Sequence, residues 1–300
     1  MKTNKEISGH LAAAITILIW GTTFISTKIL LGSFTPIEIL FYRFSIGFIT
    51  LAIIFPRRLK GTNIKQELMF AGAGLCGVTL YFLLENIALT YTLASNVGVI
   101  ISIAPFFTAI LSHWFLENER PKTNFFIGFV VAIMGIFLIN FNGSRILKLN
   151  PVGDLLAVLA AVVWAVYSIL TRKISGFGHN TIQTTRRIFL YGLLFIIPAL
   201  FIFPFEWGIE RFSHSTNLFN ILFLGFGASA LCFVTWNTAV GILGAVKTSI
   251  YIYMVPAITV ITSILVLHEK ITWVAACGTV LTVAGLFISE RTLKGTKKEQ

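Results

Sequence analysis

The chain has 300 residues, 56% apolar and 12% charged, where a soluble domain carries about 25% charged. So little charge over 28 Phe and 6 Trp excludes an ordinary water-soluble enzyme, and lipid is the solvent that fits. The net charge of +11 would suit nucleic acid, but the basic residues sit in the gaps between apolar runs, where they mark topology instead.

Ten apolar stretches follow in chain order, at about residues 10–31, 35–55, 67–89, 94–116, 124–140, 153–171, 186–205, 218–241, 245–267 and 272–289. Most are long enough to cross a bilayer as a helix and are apolar all round. None alternates apolar and polar residues as a barrel strand does. The expected fold is therefore an all-α integral membrane protein with ten transmembrane helices. Lys and Arg crowd the linkers at one end, among them Arg57, Arg58, Lys60, Lys65, Arg172 and Lys173, whereas Arg145, Lys148, Arg211 and Lys270 fall at the other. This bias predicts a multi-pass protein of the cell membrane with both termini in the cytoplasm.

The sequence also repeats itself. At a shift of 144, Gly9, Trp20, Thr27 and Arg43 fall on Gly153, Trp164, Thr171 and Arg187; at 151, Asn86, Ala94 and Pro105 fall on Asn237, Ala245 and Pro256; at 150, Glu119, Gly128 and Gly135 fall on Glu269, Gly278 and Gly285. Five helices are an odd number, so a second copy enters the membrane upside down. The expected organisation is two inverted five-helix repeats, at residues 9–140 and 151–290, followed by a basic cytoplasmic tail at 291–300. Such repeats build many secondary transporters.

On these residues, with Trp20-Gly21-Thr22-Thr23-Phe24 and Ala88-Leu89-Thr90-Tyr91-Thr92-Leu93-Ala94-Ser95, the chain resembles the drug/metabolite transporter superfamily in its EamA-like branch. The resemblance implies export or exchange of amino acids, other small metabolites or amphipathic drugs across the cytoplasmic membrane.

Matched positions supply the candidate site. Pro105 and Pro256 free the carbonyls four residues back, Ile101 and Ile252, and so expose a polar group at membrane depth. Trp20 and Trp164 lie near the midpoints of their helices, away from the usual interfacial place of Trp. Thr16, Trp20, Thr23 and Thr27 share one helix face, and Trp164, Tyr167 and Thr171 share another. Both faces fit a cavity wall, and both fit plain helix packing. Glu85 is an acid well inside an apolar run, about 27 Å along its helix, and intramembrane acids bind amino groups, cations or protons. Arg43 lies at similar depth. The two read as an outer gate or as a structural ion pair, with Lys28 and Glu38 nearby, and Trp236 stands where the second half would have its own Glu85. Asn86, Asn237, Tyr81 and Tyr251 complete the candidate substrate-binding set.

Gly72, Gly74 and Gly77 spell a dinucleotide fingerprint, but no strand precedes them and no acid follows at the required distance, so close helix packing is expected. His113 and His268 lack metal-binding companions. Cys76, Cys232 and Cys277 have no metal spacing. No cofactor is expected, no enzymatic constellation stands out, and the expected partners are a small-molecule substrate, the lipid bilayer and protons as a coupling ion. The reading is a transporter working by alternating access, an exporter of amino acids or similar metabolites. Its alternatives are a multidrug or toxic-compound exporter and a non-transporting membrane scaffold.

Overall fold

A computed structural model describes residues 2–92, 94–117, 119, 121, 123–140, 150–208, 210–267 and 273–291, which are mostly helical with no strand among them. His268, Glu269, Arg145, Lys148, Lys270 and the basic tail beyond Arg291 lie outside the described residues. The helical rods are α1 (Lys2–Leu30), α2 (Pro36–Ile54), α3 (Ile64–Tyr91), α4 (Ala94–Ile101 and Ala104–Phe115), α5 (Thr123–Asn140), α6 (Pro151–Ser175), α7 (Thr181–Ile202), α8 (Ser215–Leu243), α9 (Ala245–Ser249, a 3-10 turn Ile250–Tyr253, and Met254–Leu267) and α10 (Trp273–Arg291). Among the described residues, α1, α2, α3, α4, α6, α7 and α8 are long and apolar enough to cross a membrane, and α5, α9 and α10 contribute shorter apolar stretches. The protein is thus a multi-pass membrane protein.

Helix starts are set by side chains that satisfy free backbone N–H groups. Asn63 and Gln66 form a reciprocal capping box at α3, and the Asn150 and Asn180 carbonyls accept from the first turns of α6 and α7. Irregularities come at matched places. Leu75–Leu80 in α3 and Phe223–Leu231 in α8 are π-helical, and α4 and α9 both break just before their prolines. Pro105 falls in the first turn of the second α4 piece, where a missing N–H costs nothing.

The rods pack as α1 on α8 and α3 on α6, α2 on α8 and α7 on α3, and α1 on α9 and α6 on α4, with α2 against α7 and α5 against α10. Exchanging α1–α5 with α6–α10 turns this set of contacts into itself. The α5–α10 contact is the tightest case. A Cβ on Gly128 would stand 2.5 Å from the Gly285 carbonyl, one on Gly285 2.6 Å from the Gly128 carbonyl, and one on Gly135 2.6 Å from the Gly278 carbonyl. Only hydrogen fits there, and backbone-to-backbone approach of this kind holds helices together where lipid provides no hydrophobic drive. The glycines of the fingerprint-like run serve the same end. A Cβ on Gly74 would meet the Ile188 carbonyl of α7 at 2.6 Å, and one on Gly77 would enter the Tyr167 ring of α6.

The six Trp divide in two. Trp114 and Trp273 are exposed at helix ends and Trp207 in the loop after α7, the interfacial position. Trp20, Trp164 and Trp236 meet in the middle of the bundle.

Candidate functional site

The central Trp group is an aromatic knot built from α1, α3, α6 and α8. Trp20 packs edge-on against Trp164 with ring centroids 5.2 Å apart, and Trp236 lies 5.1 Å from Trp20. Tyr81 lies 4.7 Å from Trp164, and Phe233 fills the space beneath Trp20. The Trp20 indole N–H donates to the Ala228 carbonyl at 3.0 Å. That carbonyl lies in the π-helical part of α8, where the altered backbone pattern frees an acceptor.

Above the knot is a cavity. Trp20, Thr23 and Phe24 of α1, Tyr81, Phe82 and Glu85 of α3, and Trp164 of α6 line it, together with Arg43, Ile101, Ile252 and Val255. It is narrow, with a volume of only about 40 Å³. Two of the lining residues are Ile101 and Ile252, four residues before Pro105 and Pro256. The prolines themselves are buried one turn away and are not in the wall.

Arg43 and Glu85 are the charged groups of this wall, 1% and 3% exposed. The Arg43 Nε donates to Ser229 Oγ at 3.1 Å, and the guanidinium lies 4.2 Å over the Phe82 ring. Its Nη2 is buried with no hydrogen bond among the described residues. Glu85 shares the cavity with Arg43 and couples electrostatically to it and to Tyr81. The matched arginine of the second half is placed otherwise. Arg187 grips Glu67 through Nε and Nη2 at 3.0 and 2.8 Å, and Tyr191 donates to the same carboxylate. Glu38 is also engaged elsewhere: it takes two hydrogen bonds from Arg211 and one from the Glu206 N–H. The Glu38 carboxylate in turn holds the Arg211 guanidinium above its usual range. Lys28 donates to the Leu89 carbonyl at 2.6 Å, closing the end of α3.

The remaining candidates make interhelical bonds. Asn86 donates to the Pro36 carbonyl at 3.1 Å. Tyr167 donates to Asn237 Oδ1 at 2.8 Å, and Asn237 Nδ2 donates to Thr185 Oγ1 at 3.0 Å. Asn237 has a second role as part of a vestibule of about 290 Å³ with Thr171, Ser175, Thr184, His179 and Lys5, toward the end that carries the N-terminus. Tyr251 pairs with His10 Nδ1 at 2.6 Å, tying α9 to α1.

At that same end Glu119 is a clasp. Its carboxylate pairs with Arg172 and accepts the Ala245 and Val246 N–H groups at 2.6 and 3.2 Å, at the start of α9. Gly244 precedes them with φ 93°, and a Cβ there would lie 2.7 Å from the Glu119 carboxyl. Arg172 also donates to the Gly241 carbonyl, and Lys247 reaches Glu6 at 2.7 Å.

The model of the EamA-like transporter family matches residues 7–141 and 151–290. The chain belongs to this family. The transporter is 30% identical over 289 residues to a protein of Archaeoglobus fulgidus named as an uncharacterized transporter, covering 93% of this chain and 96% of the relative. It is 26% identical over 302 residues to a probable terminal-alkyne amino-acid exporter of Streptantibioticus cattleyicolor, covering 100% and 98%. One crystal structure shares the fold with a TM-score of 0.74 at 20% identity, covering 95% of the transporter and 98% of that chain.

Sequence reasoning reached Trp20, Thr23, Arg43, Tyr81, Glu85 and Trp164 of the cavity wall. It missed Phe24, Phe82 and Val255, which carry no polar signal among 28 Phe and many aliphatics. It also missed the place of Trp236 in the knot, although the repeat had aligned it with Glu85.

Proposed function

We propose that the transporter moves amino acids or related small metabolites across the cytoplasmic membrane by alternating access, as an exporter with both termini in the cytoplasm. The observation that carries this reading is Arg43. A buried guanidinium with an unpaired N–H is costly, and a cargo carboxylate entering the cavity would complete its hydrogen bonding. Glu85 on the same wall suits the cargo ammonium, and the Trp20, Trp164, Tyr81 and Phe82 rings suit an apolar or flat side chain. The relative named as an amino-acid exporter supports the same cargo class.

The contact pattern that survives exchange of α1–α5 with α6–α10 supports ten membrane helices in two inverted five-helix repeats. In this scheme the Trp164–Tyr167–Asn237 chain is a septum between cavity and vestibule, and the Glu119 clasp is a latch at the cytoplasmic end. The narrowness of the cavity means that cargo enters only as its walls part. Glu85 is then also the residue to carry a coupling proton between one loaded state and the next.

A second reading, export of amphipathic cationic drugs, draws on the aromatic walls and Glu85 but leaves Arg43 without a task. Counterflow in liposomes separates the two. Accumulation of amino acids supports the first reading, accumulation of cationic dyes with no amino acid supports the second, and no flux of either removes both.

A further inference from the structure

A separate cavity of about 440 Å³ lies between the end of α2 and the start of α7, away from the aromatic cavity. One part of its lining is apolar, formed by Phe48, Ala52 and Leu190, and the other carries Arg58, Arg186 and Arg187, with no Asp or Glu. The mouth is braced by neutral acceptors. Arg186 donates to the Phe55 and Arg57 carbonyls, and Gln183 donates to the Arg57 and Arg58 carbonyls. Arg187 has its counter-charge in Glu67, but Arg186 bonds only to carbonyls and Arg58 is exposed. Among the described residues, two positive charges therefore stand uncompensated at the lip of a groove whose floor is apolar.

The α7 arginines lie five and six residues past Thr181, within about 10 Å of the helix start, and Leu190 lies about 4 to 6 Å deeper. In a bilayer this puts the charges at headgroup level and the apolar floor at the level of the first methylenes. We propose that this groove is a binding site for an anionic phospholipid, its phosphate held by Arg58 and Arg186 and one acyl chain laid along Phe48 and Leu190. Basic pockets between membrane helices recognise anionic headgroups in this way, at a level of about fivefold in affinity per charge.

The test is retention of lipid by the purified full-length protein after delipidation and re-addition of phosphatidylglycerol or phosphatidylcholine, counted by native mass spectrometry. The expected result is one phosphatidylglycerol retained in preference to phosphatidylcholine, with the preference falling about fivefold in Arg58→Gln. Arg186→Gln should lower it as well. Because that change also unties the Phe55–Arg57 backbone, the exposed Arg58 variant is the deciding one. Equal retention of the two lipids, or a preference unchanged in Arg58→Gln, would overturn the proposal. A third arm offers glycerol phosphate and inorganic phosphate. If these raise the melting temperature as much as the lipid does, the site takes free phosphate and the lipid assignment falls. No arm reads transport, so the outcome is independent of the cargo assignment.

Discussion

Tyr167 and Asn237 share a buried hydrogen bond of 2.8 Å, and it stands between the aromatic cavity and the polar vestibule. Tyr167 packs on Trp164 with ring centroids 4.9 Å apart, and Trp164 is cavity wall. Asn237 is vestibule wall. Removing the hydroxyl in Tyr167→Phe leaves the ring in place and orphans the Asn237 acceptor, a loss of about 1 to 3 kcal/mol. With the native cysteines replaced by alanine, Thr23→Cys should then be alkylated faster by an impermeant reagent supplied from the vestibule side. An unchanged rate would show that the bond does not hold the septum.

Arg43 and Glu85 predict a separation of stability from function. Replacing a buried charged set by neutral groups of similar volume is often neutral or stabilising. The double variant Arg43→Met with Glu85→Gln should therefore unfold at or above the native temperature while counterflow disappears. Arg43→Met alone should lose transport too and should be the less stable, because Glu85 remains buried without a nearby cation. A double variant that transports amino acids would sink the proposed cargo site.

Proton coupling is testable at Glu85 alone. In Glu85→Gln, net uptake driven by a pH gradient should vanish at every pH tried. If any exchange of cargo survives in that variant, it should not vary with pH. Gradient-driven uptake equal to that of the native protein would remove Glu85 as the proton carrier.

The α5–α10 seam predicts a steep size limit. Gly285→Val inserts bulk where a Cβ alone would lie 2.5 Å from the Ala132 N and 2.6 Å from the Gly128 carbonyl. Overpacking of this kind costs about 1 to 3 kcal/mol. The measurable outcome is a lowered midpoint in a detergent unfolding series, against little change for Gly98→Ala, whose Cβ would meet nothing within 4 Å.

The Glu119 clasp predicts that Gly244→Ala combines strain at φ 93° with displacement of the carboxylate. Glu119→Gln keeps one oxygen for the Ala245 and Val246 N–H groups, which share Oε2, but loses the charge opposite Arg172. Under the latch reading both variants should increase labelling of a cysteine placed at Ser175, and Gly244→Ala should do so more. Labelling equal to the native rate in both would argue that the clasp is only a helix cap.

Much of this architecture could be read from residues because lipid constrains composition so strongly. Apolar length located the helices, and the matched Trp20 and Trp164 stand out in the sequence because central Trp is unusual in a membrane helix, though their meeting with Trp236 needed the fold. Pro105 and Pro256 pointed to Ile101 and Ile252, whose places in the wall follow from the backbone breaks before those prolines. What stayed hidden depends on which helices become neighbours. Nothing in the sequence around Glu67 marks it as the partner of Arg187 and Tyr191, which α7 brings beside it. Tyr251 was counted with the pocket, whereas the contact of α9 with α1 turned it toward His10. Asn237 was legible as a polar amide in lipid, but its choice of Tyr167 and Thr185 as partners needed the fold.

Arg43 and Arg187 fall on matched positions of the sequence repeat and meet different fates, Arg187 satisfied by Glu67 and Arg43 left with an unpaired N–H in the cavity wall it shares with Glu85. Two halves with identical side chains would make the inward and outward shapes equal in energy, and an empty protein would divide its time evenly between them. Under the alternating access proposed above, the exchange of shapes would also exchange a complete ion pair for an incomplete one. In that scheme, divergence at this matched position would give the empty protein a preferred side on which to wait, before any gradient or cargo acts on it.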